Sequence, residues 1–215
     1  HYPLRRQRQM CIRDRAMRSL GCSNIDYLVP NRFEDGYGLS PEVVDQAHAR
    51  GAQLIVTVDN GISSHAGVEH ARSLGIPVIV TDHHLPGDTL PAAEAIINPN
   101  LRDCNFPSKS LAGVGVAFYL MLALRTFLRD QGWFDERGIA IPNLAELLDL
   151  VALGTVADVV PLDANNRILT WQGMSRIRAG KCRPGIKALL EVANRDPQKL
   201  AALSLIHISE PTRPY

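Results

Sequence analysis

Short runs of β-branched residues alternate with amphipathic stretches along most of the chain. The runs at 25–29, 53–58 and 76–81 are rich in Ile and Val and are bounded by Gly, Asn or Asp, which is typical of strands. Between them, residues 41–50 and 64–74 carry apolar residues at helical spacing. The alternation predicts βαβ units and therefore an α/β fold, with a mostly parallel, doubly wound sheet and flanking helices.

Capping residues support the predicted helix ends. Ser40 followed by Pro41 favours a helix start, and Gly51 favours its end. Gly75 closes the next helix, so that 53–58 and 76–81 form two parallel strands joined by one crossover. Two more helices are expected, one ending at 20–21 and one carrying Leu144, Leu147, Leu148 and Val151 at helical spacing.

The longest uncharged apolar run, 111–124, is shorter than the roughly 20 residues of a membrane-spanning helix, so we expect a buried core helix and no membrane association. The four cysteines, Cys11, Cys22, Cys104 and Cys182, show no metal-binding spacing. The N-terminal residues do not resemble a secretory signal. A reducing, cytoplasmic location is the expectation.

Charge is unevenly distributed. Residues 1–15 hold five Arg against one Asp, and the other 200 residues carry a net charge of −3. The body is therefore not a nucleic-acid binder by composition, and any such role must rest on a local patch.

The two termini differ in pattern from the central region. Neither terminus shows the periodic spacing of apolar residues found elsewhere, and both resemble translated sequencing-adapter sequence. We interpret 1–15 and 203–215 as non-native flanks, with ordinary disordered termini as the alternative. Between them we predict a catalytic domain over 16–175 and the start of a linker towards a second domain over 176–202.

Acidic residues follow the two strands of the predicted crossover. Asp59 comes after the first, and Asp82 comes after the second and precedes His83 and His84. Parallel strands end at the same edge of a sheet, where open α/β folds bind ligands. Asp158, after the later helix, is expected to reach the same edge.

Converging carboxylates and imidazoles need a positive partner, and a divalent cation is the simplest. Oxygen and imidazole ligands suit Mn²⁺, while Mg²⁺ gains less from the histidine. Two ions bridged by one carboxylate would support phosphoester hydrolysis. Each residue also has a plainer interpretation: Asp59 as a turn residue, and Asp158 as a loop carboxylate or cap.

These residues carry a resemblance. The segments TDHH at 81–84, VDNG at 58–61 and GTVADVVPL at 154–162 resemble the DHH phosphoesterase superfamily. NRFEDGYGL at 31–39, INPN at 97–100 and LAGVGVAF at 111–118 are similar to its bacterial members that degrade single-stranded DNA from the 5′ end. The resemblance covers about 16–202.

The resemblance implies roles for individual residues. Asp59 corresponds to a bridging metal carboxylate, and His83 and Asp158 to further metal ligands. Asp82 and His84 correspond to catalytic positions: Asp82 ligates metal or orients the triplet, and His84 lies near the scissile phosphate, where it stabilises charge or donates a proton. Mn²⁺ or Mg²⁺ is the implied cofactor, and single-stranded DNA, a single-strand-binding protein and a recombination helicase are the implied partners in DNA repair and recombination.

Two glycines extend this implied site. Gly113 and Gly115, near the start of the buried helix, are expected to let backbone N–H groups approach a substrate phosphate. Close helix packing is the equal alternative.

One departure from the family pattern matters. Members begin with a strand that ends in an acidic D-x-D-G motif, whereas MCIRDR precedes the first helix here. We therefore expect the domain to lack its first strand and some metal ligands, so that the chain itself binds metal weakly or is inactive.

Other interpretations stay open. The chain is alternatively a DHH phosphodiesterase of oligoribonucleotides or cyclic dinucleotides, or a non-catalytic nucleotide-binding domain, although no glycine-rich phosphate loop follows a predicted strand. The densest basic cluster contacts DNA phosphates or belongs to the linker: Arg176, Arg178, Lys181, Arg183 and Lys187.

Overall fold

The computed structural model describes residues 12–30 and 38–201. Helix α1 is described over residues 12–19 and so includes residues that precede the predicted flank boundary at 15. Ile12, Ala16 and Leu20 are all buried, because residues four apart share one face of a helix. The remainder of the predicted flanks, and most of the NRFEDGYGL segment, lie outside the described residues.

Three short parallel strands form the sheet: β1 (Ile55–Val56), β2 (Val78–Thr81) and β3 (Ala95–Ile97), in the order β1-β2-β3. Helix α3 (His65–Ser73) connects β1 to β2, which confirms the predicted crossover. Strand β3 was not predicted, since three residues are too few to show a period of two.

The predicted strand at 25–29 is wrong for this structure. Residues 25–29 form no strand, and they line a groove of about 410 Å³ together with residues of β1. Arginine side chains take the place of strand partners: Arg18 donates to the Ile25 carbonyl at 3.0 Å, and Arg13 donates to the Val56 carbonyl at 3.0 Å.

Helices cover both faces of the sheet. On one side, α2 (Pro41–Ala49) and α3 pack with Ile55 and Ile96. On the other, α4 (Gly113–Asp130) packs against β2, and Ile97 joins the helical core. The α/β architecture with a parallel sheet is therefore confirmed.

The C-terminal half is helical. Short helix α5 (Trp133–Glu136) and a 3₁₀ turn (Leu144–Leu147) lead into α6 (Leu148–Ala157), α7 (Ala164–Arg178), α8 (Pro184–Val192) and a second 3₁₀ turn (Pro197–Lys199). Helix α6 is buried on all sides. No helix of the described residues is long and apolar enough to cross a membrane.

The segment expected to begin a linker is packed. Ile186 and Leu190 of α8, and Leu200 after it, are buried in the same core as α6 and α7. Up to Leu200 the chain therefore contributes to the domain core, because these apolar side chains find partners there.

Candidate metal centre

The carboxyl ends of β1 and β2 bring Asp59 and Asp82 to one edge of the sheet. Hydrogen bonding continues past the strands, with the Asp59 N–H donating to the Thr81 carbonyl at 2.9 Å. Thr57 and Thr81 join the two strand ends: the Thr81 hydroxyl donates to the Thr57 carbonyl at 2.5 Å. Sequence reasoning missed this pair, although a threonine near the end of each run was a visible signal.

Asp59 sits in a tight turn with left-handed backbone geometry, at φ +61°. The turn is held by the Thr57 hydroxyl, which donates to the Asn60 carbonyl at 2.7 Å, and by Gly61 at φ +111°. Non-glycine residues in this region are strained, and Asp is among the few that tolerate it. The turn points the Asp59 carboxylate away from the ladder and towards α4.

Asp82 is 1% exposed and accepts hydrogen bonds from within the protein on both carboxylate oxygens. The Ile62 N–H donates to Oδ2 at 3.0 Å, and the His83 N–H donates to Oδ1 at 2.8 Å. His84 donates from its N–H at 3.2 Å and lies with Nδ1 2.6 Å from Oδ1. Asp82 thus ties the turn after β1 to the two histidines.

Burial alone would raise the pKa of Asp82, but hydrogen bonds from His84 and Ile62 outweigh burial and hold the pKa below its ordinary value. Asp82 therefore stays a carboxylate. In turn, its hydrogen bond and charge raise the pKa of His84, against the smaller opposing effect of partial burial.

His83 contacts one carboxylate from the sheet and one from the C-terminal helices. Its Nε2 lies 2.9 Å from Asp59 Oδ1 and 3.2 Å from Asp158 Oδ2. Asp158 is the C-cap of α6, so the helical half supplies one carboxylate and the sheet supplies the other. Burial disfavours the imidazolium, yet the Asp59 and Asp158 carboxylates raise the pKa of His83 overall.

The three side chains expected as metal ligands therefore meet. Asp59 Oδ1 and His83 Nε2 are both buried and lie 2.9 Å apart, and among the described residues neither makes a hydrogen bond outside the three expected ligands that would compete with a cation. Ligands at right angles on bonds of about 2.1 Å lie about 3 Å apart, close to the observed separations. Asp59, His83 and His84 also offer donor atoms within 4.8 Å of one another. Carboxylate and imidazole donors in this arrangement fit a divalent cation.

The two glycines predicted to approach phosphate lie in different surroundings. A Cβ on Gly113 would lie 2.4 Å from Asp59 Oδ1, so the start of α4 packs directly against the Asp59 carboxylate. A Cβ on Gly115 would lie 2.5 Å from the Leu111 side chain, which is a helix-packing contact. The phosphate role stays a prediction for both.

Part of the basic cluster is used internally. Arg178 donates to the Leu200 carbonyl, with its Nε at 3.0 Å, and Arg183 is held by Asp149 and the Glu146 carbonyl. Arg178 thus holds the segment that follows α8, and Arg183 holds the start of α8, which favours the structural interpretation for both.

Comparison with known proteins decides the family. A sequence profile described as the DHH family, N-terminal domain, matches residues 9–155. The chain belongs to the DHH family. The site residues after β1, β2 and within α4 fall inside the matched range, and Asp158 lies just beyond it.

Curated relatives of this DHH domain share one name. The chain is 98% identical over 190 residues to the single-stranded-DNA-specific exonuclease RecJ of Escherichia coli (strain K12), which covers 88% of the chain and 33% of that protein. It is 90% identical over 189 residues to the RecJ of Salmonella typhimurium, again 88% of the chain and 33% of that protein. The chain spans about a third of the length of these relatives.

A solved structure is similar in fold. It is a crystal structure of exonuclease RecJ bound to manganese, with a TM-score of 0.78 and 33% sequence identity, and the match covers 98% of the chain and 49% of the other. The DHH domain described here therefore has the fold of a protein solved with manganese.

Proposed function

We propose that this DHH domain carries the metal site of an exonuclease that degrades single-stranded DNA from the 5′ end to nucleoside monophosphates. The observation that carries the proposal is His83 Nε2 held within 3.2 Å of both Asp59 and Asp158. Mn²⁺ or Mg²⁺ is the proposed cofactor, and the manganese-bound structural relative supports Mn²⁺. When bound, such a cation activates water and stabilises charge on the phosphate.

Each residue receives a role from its position. Asp59, His83 and Asp158 are the proposed metal ligands. His84 is the proposed catalytic residue: its side chain is 47% exposed, and Asp82 occupies Nδ1, which leaves Nε2 for a substrate. The Asp82 carboxylate raises the pKa of His84, which favours the protonated imidazole that can donate a proton to a leaving oxygen.

Of the two roles that the resemblance implies for Asp82, its contacts favour orientation of the histidines over metal binding. Both of its oxygens accept hydrogen bonds from the Ile62 N–H and the two histidines. We therefore propose that Asp82 orients His83 and His84 and does not contact the substrate.

The substrate, partners and domain limits belong to the same proposal. The names of the curated relatives support single-stranded DNA. A single-strand-binding protein, a recombination helicase and a cytoplasmic location are proposed with it. The proposed DHH domain covers 16–175 and its core extends to Leu200, so a linker would begin after Leu200 and not at 176. Oligoribonucleotide or cyclic-dinucleotide hydrolysis is the competing outcome.

The test is a nuclease assay on the chain. Single-stranded and duplex DNA of one sequence, labelled at the 5′ end, are incubated with the chain and Mn²⁺, and an Asp59→Ala, His83→Ala variant is the control. We expect mononucleotide release from the single strand to be slow, because this sequence carries no D-x-D-G motif, and we expect none from the variant. Nucleotide release from an oligoribonucleotide or a cyclic dinucleotide alone would contradict DNA as the substrate. Equal release by the variant would show that Asp59 and His83 are not needed for hydrolysis.

A further inference from the structure

Two asparagines follow β3 at the same sheet edge as the histidines. Thr81 pairs with Ile97 in the parallel register of β2 and β3, and the Asp82 N–H donates to the Ile97 carbonyl at 3.1 Å. Asn98 and Asn100 therefore follow β3 at the point where Asp82, His83 and His84 follow β2.

Each asparagine amide holds the carbonyl of one histidine. Asn98 Nδ2 donates to the His84 carbonyl at 2.8 Å, and Asn100 Nδ2 donates to the His83 carbonyl at 2.6 Å. The Asn100 N–H donates to Asn98 Oδ1 at 2.8 Å, which fixes the direction of the Asn98 carboxamide. The three bonds form one connected network.

The network completes a clamp on the His83–His84 backbone. Asp82 accepts from both histidine N–H groups, and the two asparagines donate to both histidine carbonyls. Asn98 is only 3% exposed, so its amide is committed to this contact and not to solvent. The position of an imidazole depends on the backbone of its own residue. Hydrogen bonds that fix the His83 and His84 peptide groups therefore restrict the orientation of the two rings.

We propose that Asn98 and Asn100 are positioning residues that hold the imidazoles of His83 and His84 at the metal site. Asparagine suits this task because its amide supplies both a donor for a carbonyl and an acceptor for a backbone N–H, whereas aspartate offers acceptors only. The part of the proposal that concerns metal rests on the proposed function.

The first measurement concerns the metal-free chain. Imidazole ¹H–¹⁵N correlations are recorded at one pH for the chain and for Asn98→Ala, Asn100→Ala and the double variant, with assignments from His83→Gln and His84→Gln. We expect the ring signals of His83 and His84 to move in the asparagine variants, while those of His48 and His70 stay in place. Unmoved His83 and His84 signals in folded variants would overturn the proposal.

The second measurement is Mn²⁺ affinity by calorimetry. Loss of a contact that orients a ligand weakens metal binding about tenfold or more, and we expect this for each asparagine variant. Leu190→Ala, in the core of α8, is the control for lost stability, and we expect it to keep the Mn²⁺ affinity of the parent chain. Equal loss in Leu190→Ala would assign the asparagines a structural role only. If the parent chain binds no Mn²⁺, the proposed function fails, and the ring signals still decide the positioning role.

Discussion

Gly113 leaves the space that the Asp59 carboxylate occupies beside α4. A Cβ there would lie 2.4 Å from Asp59 Oδ1 and 2.8 Å from its Cβ and Cγ, so either the carboxylate or the start of α4 must move. The sequence identified Asp59, His83 and Asp158 because strand ends and helix ends are visible in a pattern. For Gly113 it left phosphate binding and helix packing open and did not predict contact with Asp59, since contact between two distant backbone segments leaves no local pattern.

Gly113→Ala should therefore weaken Mn²⁺ binding about ten- to a hundredfold, because the added methyl group displaces the Asp59 carboxylate, a proposed metal ligand. Calorimetry measures the affinity, and urea unfolding checks that the variant is folded. Gly185→Ala is the matched control, since nothing lies within 4 Å of its added Cβ. Unchanged affinity in Gly113→Ala would show that Asp59 does not bind the cation from its observed position.

Val159, next to Asp158, is a β-branched residue at φ +57° and is 67% exposed. Left-handed geometry costs such a residue about 1 to 2 kcal/mol, and glycine loses about 0.5 to 1 kcal/mol in chain entropy. Val159→Gly should therefore raise the free energy of unfolding by about 0.5 to 1 kcal/mol, measured in urea. Val160→Gly, at a position packed against the core, should lower it. A destabilised Val159→Gly would show that this side chain makes a contact that outweighs the strain.

At the scale of elements, one buried carboxylate connects two helices. Asp149 in α6 is fully buried, accepts from the Arg183 N–H at 2.8 Å and lies 3.5 Å from Arg183 Nη1. The helix boundaries at Ser40 and Gly75 were predictable from caps. This connection and strand β3 were not, because each depends on partners distant in sequence.

Asp149→Ala should lower the free energy of unfolding by about 3 kcal/mol, because it leaves Arg183 without its carboxylate in a partly buried place. Urea unfolding measures the loss. Asp130→Ala, which removes the carboxylate of the exposed Arg129–Asp130 pair, is the control and should cost less than about 1 kcal/mol. Similar losses in the two variants would mean that the Asp149 contact does not hold α8 on α6.

At the scale of the whole molecule, the metal site joins the sheet half to the helical half through His83. The fold class and the family were predictable because their motifs are local and ordered along the chain. The absence of a strand at 25–29 was not predictable, since a strand needs a hydrogen-bonded neighbour and the segment instead lines the groove beside β1.

The contacts of His83 and His84 predict that rising pH lowers the stability of the metal-free chain and strengthens its metal binding. The pKa values of His83 and His84 are raised on folding, so their stabilising contribution is complete below the ordinary histidine pKa of about 6.5 and is lost as pH rises through the folded values. The melting temperature of the metal-free chain should therefore fall over this range, and a His84→Gln variant should show a shallower fall.

Mn²⁺ affinity should rise over the same range, because the cation must displace the proton of His83. Calorimetry at several pH values in buffers of different ionisation enthalpy reports the released proton. A melting temperature that rises with pH, or an affinity that does not, would contradict the proposed contacts.

The most direct test of the central claim is calorimetric titration of the chain with Mn²⁺, compared with an Asp59→Ala, His83→Ala variant that is shown to be folded. The proposed site predicts binding in the chain and none in the variant, because both ligands that face each other at 2.9 Å are removed. Binding of equal affinity in both, or no binding by the folded chain, would contradict a cation site at the edge of this sheet.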